Sequence, residues 1–518
     1  MPALDFLHSP KGRLSLALVI WFLVMLGLGT GNIGNPNLWF DEALQVWASM
    51  GQGHYTNYDT ALDHSVRSAL KANYSSTWDP PGLSLLMHLL GKISQQLWIF
   101  RSLTLFFMFA GAFLLSRLAL QWRPQHLLSY ISGLILFAAS LLCHYAFEIR
   151  PYSMELLHAL LAVYITCSFE TDWSRKKTLL LGTLLALCMA SRYTSVFPAL
   201  LCAGLLFIKC FYEPEQPNVF VFPRKKLEAY LLLFFPSLVI GLALCSGLIL
   251  IKNLQWNMAT NNDAYHLLFL SANAPGELFN WATLLLWLPL LALLALRWLP
   301  LRLFPELARK YDGFVVFVLL FNILRLLLDW AQYIPYSLSF RFNLPCHALL
   351  LFSYIPLTLL IFEYCSLKYE AHPLIERLQT LGGAALVLLI LVKTLAFTRI
   401  DEDQSIAYLS SLEPEPAPKI LAAVNTYPGL RYAFELGALR ERRQWRDKLY
   451  YYGSRQPKHK DWVVSQKFDF IGVQRGGMNE EYYRLAKQKQ YDYILEGHAT
   501  MRESGKRQGF STVIVKLN

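Results

Sequence analysis

The sequence predicts a polytopic α-helical membrane protein with a small soluble domain at its C-terminal end. Three observations carry that expectation. Of the 518 residues 55% are apolar, only 16% are charged, and apolar runs of membrane-crossing length recur along the first four hundred positions. A water-soluble chain carries roughly a quarter of its residues as Asp, Glu, Lys or Arg. The shortage of charge, with a mean hydropathy of +0.33, excludes a disordered chain, a collagen-like repeat and a disulfide-stapled secreted domain.

The first span is expected at 14–33. Lys11 and Arg13 stand before it and no small-residue cleavage site follows, so it reads as a retained helix and not as a removed leader. The connection 34–96 is far longer than connections between spans usually are, and long ordered loops are commonly functional. Phe40, Ala43, Leu44, Trp47 and Met50 share one helical face, as do Leu62, Val66 and Leu70. Both pieces therefore read as helices lying in the interface plane. Pro80-Pro81 starts a third, with Leu83, Leu86, Leu89, Leu90 and Ile93 as its apolar stripe. The remaining spans are expected at 97–120, 127–145, 152–170, 178–192, 195–212, 229–251, 281–299, 314–330, 344–363 and 380–398, which makes about 11 (11–13).

Positive charge in the connections sets the orientation, because Lys and Arg are retained on the cytoplasmic side. With the N-terminus inside, the inside connections hold 15 basic residues, including the runs Arg175-Lys176-Lys177 and Arg224-Lys225-Lys226, and the longer outside ones hold 7. An odd number of spans then places the tail outside, with the loop 34–96. Much of the net charge of +11 is this topological bias and does not point to nucleic acid. From Arg399 onward 20 basic residues stand against 15 acidic ones, which suits a membrane surface, an anionic acceptor or an ordinary solvated domain.

The expected division is a membrane module at 1–399 and an extracytoplasmic domain at 400–518, joined by the acidic, Pro-rich stretch 401–418. In the tail, 479–490 reads as a capped helix, and 491–495 and 510–517 read as strands, which makes an α/β domain the expectation. No nucleophile elbow, phosphate loop or metal spacing occurs there. All eight cysteines fall in or beside spans and read as small buried hydrophobes.

Chemistry is expected at three outward features. Asp41-Glu42 opens the first loop helix, where acidic residues ordinarily satisfy free amides and the helix dipole. Beside two large aromatics at the bilayer edge, a carboxylate also sits where loss of water strengthens a base. Glu148 and Arg150 follow the third span and either pair with each other, meet lipid headgroups or face a substrate. Arg341 precedes the tenth span, and arginine's planar fork suits a phosphate. One acidic pair and two arginines on one face suit a substrate that carries a phosphate on a lipid. His54 and His64 read as surface groups of the loop, and His144 and His158 as satisfied core histidines.

Trp39-Phe40-Asp41-Glu42, Asp79-Pro80-Pro81-Gly82-Leu83, Arg101, Glu148-Ile149-Arg150-Pro151-Tyr152 and Arg341-Phe342-Asn343-Leu344-Pro345 follow one another in the order of a known signature. In this the chain resembles the GT-C membrane glycosyltransferases, in particular the bacterial branch of the aminoarabinose transferases and the relatives of protein O-mannosyltransferases. The resemblance covers about residues 14–170 and, more loosely, 330–365. It implies transfer of a sugar from a polyprenyl-phosphate donor to a cell-envelope acceptor at the outer face of the bacterial inner membrane. It implies Asp41 as general base, Glu42 as its support or, with Asp41, as holder of a divalent metal, and Glu148 as a second active-site acid. It further implies that Arg150 and Arg341, with Tyr152, bind the donor phosphate and that Asp79 and Arg101 fall at substrate positions. The family often has His before the double proline, where Asp79 stands here.

Two other classes compete. A transporter or flippase also fits many spans with embedded charge, here Arg101, Arg192, Arg325, Asp329 and Lys393, although most sit near span ends, where long side chains reach the interface. No internal repeat or matched pair of broken helices supports it. A non-enzymatic assembly factor that recruits partners through its tail is the third.

Overall fold

The structure, a computed structural model, describes residues 9–36, 38, 40–52, 65–76, 79–124, 126–213, 220–259, 281–298, 303–330, 343–368, 373–397, 405–418, 420–423, 427–452, 493–501 and 508–516. The chain forms two compact units. One joins Met1–Thr30 to Leu103–Phe397, and the other joins Gly31–Ser102 to Thr398–Asn518. The sequence reading assigns the loop to the membrane module, whereas by contacts it clusters with the tail.

The first unit is helical. Among the described residues six helices of the chain are long and apolar enough to cross a membrane: Pro10–Gly29, Leu97–Trp122, Tyr193–Phe211, Arg224–Leu244, Asp312–Trp330 and Leu344–Lys368. Shorter apolar helices occupy other expected runs, among them Leu127–Ala138, Trp281–Arg297 and Leu381–Leu395. The run expected as one span at 127–145 is broken into Leu127–Ile131, a 3-10 turn at Ser132–Ala138 and Ser140–Tyr145. Close backbone packing accompanies the break. The amide of Gly133 donates to Ser116 Oγ at 2.9 Å, and a Cβ at Gly133 would lie 1.7 Å from the carbonyl oxygen of Ala112.

Packing in this unit leaves one face of several apolar helices buried and the other, equally apolar, exposed. On the Pro10–Gly29 helix, Ala17, Ile20, Val24 and Gly27 are buried while Leu18 and Phe22 face out, and Ser9 caps its first turn by accepting from Gly12 N at 3.0 Å. Phe106 and Phe235, at 62% and 63% exposure, likewise lie on outward faces, which is the arrangement of a protein dissolved in lipid. The Tyr152–Ser168 helix is buried along almost its whole length and touches the helices Arg175–Met189, Val196–Phe211, Asp312–Trp330 and Leu344–Phe352. Polar groups on it are therefore groups of the interior.

The second unit is built around the Phe40–Ser49 helix. The sequence reading lays this helix flat on the membrane, yet positions 42–50 are all buried. Its neighbours explain the burial: the helices Val66–Ser76 and Gly82–Gly91 pack on it from the loop, and Tyr427–Glu435 packs on it from the tail. Arg431 sets its guanidinium 4.6 Å from the Trp47 ring centroid, and Tyr432 meets the same ring edge-on at 6.3 Å. The Tyr432 hydroxyl donates to the carbonyl of Gln95 at 2.5 Å. Burial pushes the Tyr432 phenol above its ordinary value, with the charge of Arg101 working against that shift, so the group stays a protonated donor. Gly429 admits the close approach, since a Cβ there would lie 2.8 Å from the carbonyl oxygen of Leu38.

In the tail a four-stranded sheet runs in the order β2-β1-β3-β4, with β1 Ile420–Ala423, β2 Leu449–Tyr452, β3 Tyr493–Met501 and β4 Gln508–Lys516. β1 is parallel to both neighbours, and β3 pairs antiparallel with β4, Tyr493 opposite Lys516. Beside the sheet, Leu409, Ile420, Phe434, Leu439 and Trp445 form a core, and Arg442 closes the end of the Ser405–Ser411 helix by donating to the carbonyls of Leu409 and Ser410, both at 2.7 Å. The helix expected at 479–490 lies outside the described residues. Seven cysteines are unpaired and five of them are buried, as small hydrophobes are.

Candidate active site

In the first unit the charged groups gather at the start of the Tyr152–Ser168 helix. Pro151 opens that helix, and Glu155 lies in its first turn, where the amide ends favour a carboxylate. Arg192 Nη1 donates to Glu155 Oε2 at 3.1 Å, and the Thr194 hydroxyl donates to the other carboxylate oxygen. The Arg192 guanidinium also lies 4.9 Å from the Tyr152 ring centroid, and that of Arg150 lies 5.9 Å from the same ring. Tyr145 packs edge-on against Tyr152 at 5.3 Å. Behind the ring's helix turn, Glu148 is buried and its Oε2 stands 3.6 Å from His144 Nε2, one turn earlier.

A second buried cation joins the group. Arg325 donates through Nε and Nη2 to Asn343 Oδ1, at 3.1 and 2.9 Å, and both residues are buried. Cys346 lies within electrostatic reach of both Arg325 and Glu155, which brings the two clusters into one neighbourhood. Three guanidiniums and two carboxylates thus share an interior otherwise lined by apolar side chains. Each such charge costs several kcal/mol to bury, of order 5, unless a partner or a ligand offsets it. One turn beyond Glu155, His158 is fully buried and neither ring nitrogen has a hydrogen-bond partner among the described residues, so the satisfied core histidine expected there is not found.

In the second unit, Asp41 is half-buried and Glu42 fully buried. Successive helical positions are turned by roughly 100° and do not face each other. Among the described residues no group of three or more His, Cys, Asp or Glu is placed to hold a metal. A hydrogen-bonded chain fixes the ground around them. Gln45 Nε2 donates to Ser84 Oγ at 2.5 Å, Ser84 donates to Asn73 Oδ1 at 2.5 Å, and Asn73 Nδ2 donates to the carbonyl of Asp79 at 2.7 Å. Asp79 is thereby anchored through its backbone, leaving its half-buried carboxylate to other partners.

Arg101, expected at a substrate position, is fully buried and donates to the carbonyl of Asn35, which ties the start of the loop to the start of the next helix. Arg101 and Arg325 thus do not extend to an interface, as the sequence reading has it for charges near span ends. His88, which that reading passes over, sets Nδ1 2.9 Å from the Ser49 carbonyl, at a cavity of about 280 Å³ that Met87, Lys92 and Gln95 also line. Trp39, His54, His64 and Arg341 lie outside the described residues. The sequence thus indicated Asp41, Glu42, Glu148, Arg150 and Tyr152 but not Glu155 or Asn343, and it read Arg192 and Arg325 as marks of a carrier. The available signal was a lone glutamate in the first turn of an otherwise apolar run.

No protein-family model matches the chain, and no curated protein matches it. Among solved structures, the crystal structure of ArnT from Cupriavidus metallidurans bound to undecaprenyl phosphate is similar over 97% of both chains, at 12% identity and a TM-score of 0.32. A TM-score that low leaves the chemistry to be judged from this chain's own residues.

Proposed function

We propose that the protein is an integral membrane glycosyltransferase that takes a sugar from a polyprenyl-phosphate donor and passes it to a cell-envelope acceptor. One observation carries the reading: Arg150 and Arg325 are buried and Arg192 is 11% exposed, with Glu148 and Glu155 as the buried carboxylates beside them among the described residues, a net positive interior in an apolar helical unit. Such a place favours an anion whose remaining bulk is apolar, and a phosphate on a polyprenyl chain has that form. The ordered motifs read from the sequence support the sugar and the transfer.

The roles follow the ordered motifs. Arg150 and Arg192, held about Tyr152, bind the donor phosphate and stabilise the charge that grows on it as the sugar departs. Arg341 shares that role, Glu155 positions the Arg192 guanidinium, and Glu148 is a second active-site acid. Asp41, at the head of its helix, takes the proton from the acceptor hydroxyl as the oxygen attacks the anomeric carbon. With one base and no carboxylate nucleophile the displacement is single and inverts the anomeric centre. Glu42, buried beside Asp41, supports that end of the helix. No step is assigned to a metal.

Asp41→Asn tests the assignment. Transfer is expected to fall at least about 100-fold, the usual scale for a lost general base, while the lipid-linked donor binds as before. Full transfer in that variant removes Asp41 from the role. The buried arginines also favour a second reading, a lipid-linked carrier. Donor flipped across a liposome membrane by the purified protein, with no sugar transferred, would select it.

A further inference from the structure

We infer that the first unit holds a specific site for an anionic membrane phospholipid, in the groove between the helices Arg175–Met189 and Arg224–Ala259. The two helices run parallel. Arg175 Nη2 meets Glu228 Oε1 at 2.6 Å near their starts, and Gly182 meets the backbone of Leu233 about two turns on, where a Cβ would lie 2.3 Å from the Leu233 carbonyl oxygen. Both N-termini therefore lie at the same end, where their dipoles add. That end begins Arg175-Lys176-Lys177 on one helix and Arg224-Lys225-Lys226 on the other, and the first two turns of the pair contain one carboxylate, Glu228, against these six cations.

Between the helices lies a groove of about 570 Å³. Arg175, Arg224 and Glu228 line one end of it, and Leu179, Leu231 and Phe235 line the rest with 48%, 54% and 63% of their surfaces exposed. The Arg224–Leu244 segment is long and apolar enough to cross a bilayer, which puts the leucines at acyl-chain depth and the basic end at the headgroups. An anionic head over the arginines, with an acyl chain along the leucines, satisfies both ends at once. A free phosphate has no use for the apolar wall, and a zwitterionic lipid gains little from a surplus of five cations. The site is independent of the proposed reaction and of which membrane face it occupies.

The test titrates the full-length protein in detergent micelles with phosphatidylglycerol and with phosphatidylcholine of the same acyl chains, reading bound lipid by native mass spectrometry. Phosphatidylglycerol is expected to bind the more tightly, and the double variant Arg175→Gln, Arg224→Gln to lose about 25-fold of that preference, about fivefold for each arginine. Leu231→Trp, which fills the groove and keeps every charge, is expected to weaken both lipids. Equal binding of the two lipids to the unaltered protein overturns the proposal, as does an undiminished preference in the double variant. So does displacement of phosphatidylglycerol by inorganic phosphate together with unchanged lipid binding in Leu231→Trp, which would make this a phosphate site. Both arginines are exposed, so the double variant keeps the fold, and Leu231→Trp decides the matter independently.

Discussion

At the scale of residues, Arg192 joins three groups, because it neutralises Glu155 and lies over the ring of Tyr152, which Arg150 also approaches. Its partner is 3% exposed and it is itself 11% exposed, so water screens the pair little. Arg192→Gln leaves a buried carboxylate with Thr194 as its remaining donor among the described residues, and breaking such a pair costs about 3 kcal/mol or more. Thermal unfolding in detergent should fall accordingly, and donor binding should weaken at least about tenfold, the scale of one lost charge-assisted bond. The double variant Glu155→Gln, Arg192→Gln should recover most of the stability without the binding. A single variant as stable as the unaltered chain would show that the carboxylate is hydrated. None of this pairing was legible in the sequence, because 37 residues separate the partners and hydropathy treats each as an isolated blemish in an apolar run.

Among the elements, the broken helix at 127–145 shows where pattern reading stops. Its composition is that of a span, and only the approach of the Ala112 carbonyl to Gly133 distinguishes it from one. Gly133→Ala should therefore destabilise the protein by about 2 kcal/mol, in the range of overpacked interiors, as read by thermal melting. Gly204→Ala is the control, since its Cβ would meet nothing within 4 Å and alanine suits a helix better, so its melting should hold or rise. The Phe40–Ser49 helix makes the same point from the other side. Its apolar stripe was legible, but what covers it was not, because Tyr432 and Gln95 are 337 residues apart in the chain.

For the whole molecule, length, composition and periodicity made the helical membrane unit and the last two strands of the tail legible but not β1 or β2, while the partition between units depends on contacts that no local pattern encodes. The orientation proposed for it rests on the basic runs at 175–177 and 224–226. A reporter active only outside the cytoplasm should work when fused after Asn518 and fail when inserted at the 213–220 connection; the reverse result would invert the topology. The second unit also sets an order on synthesis. Its halves, Gly31–Ser102 and Thr398–Asn518, leave the ribosome with nearly 300 residues of membrane chain between them. At about 5–20 residues per second the first half waits roughly 15–60 s for the segment that covers Trp47. Until then the Trp47 face of its central helix stays uncovered, so closure of that face reports that synthesis has passed the Tyr427–Glu435 helix.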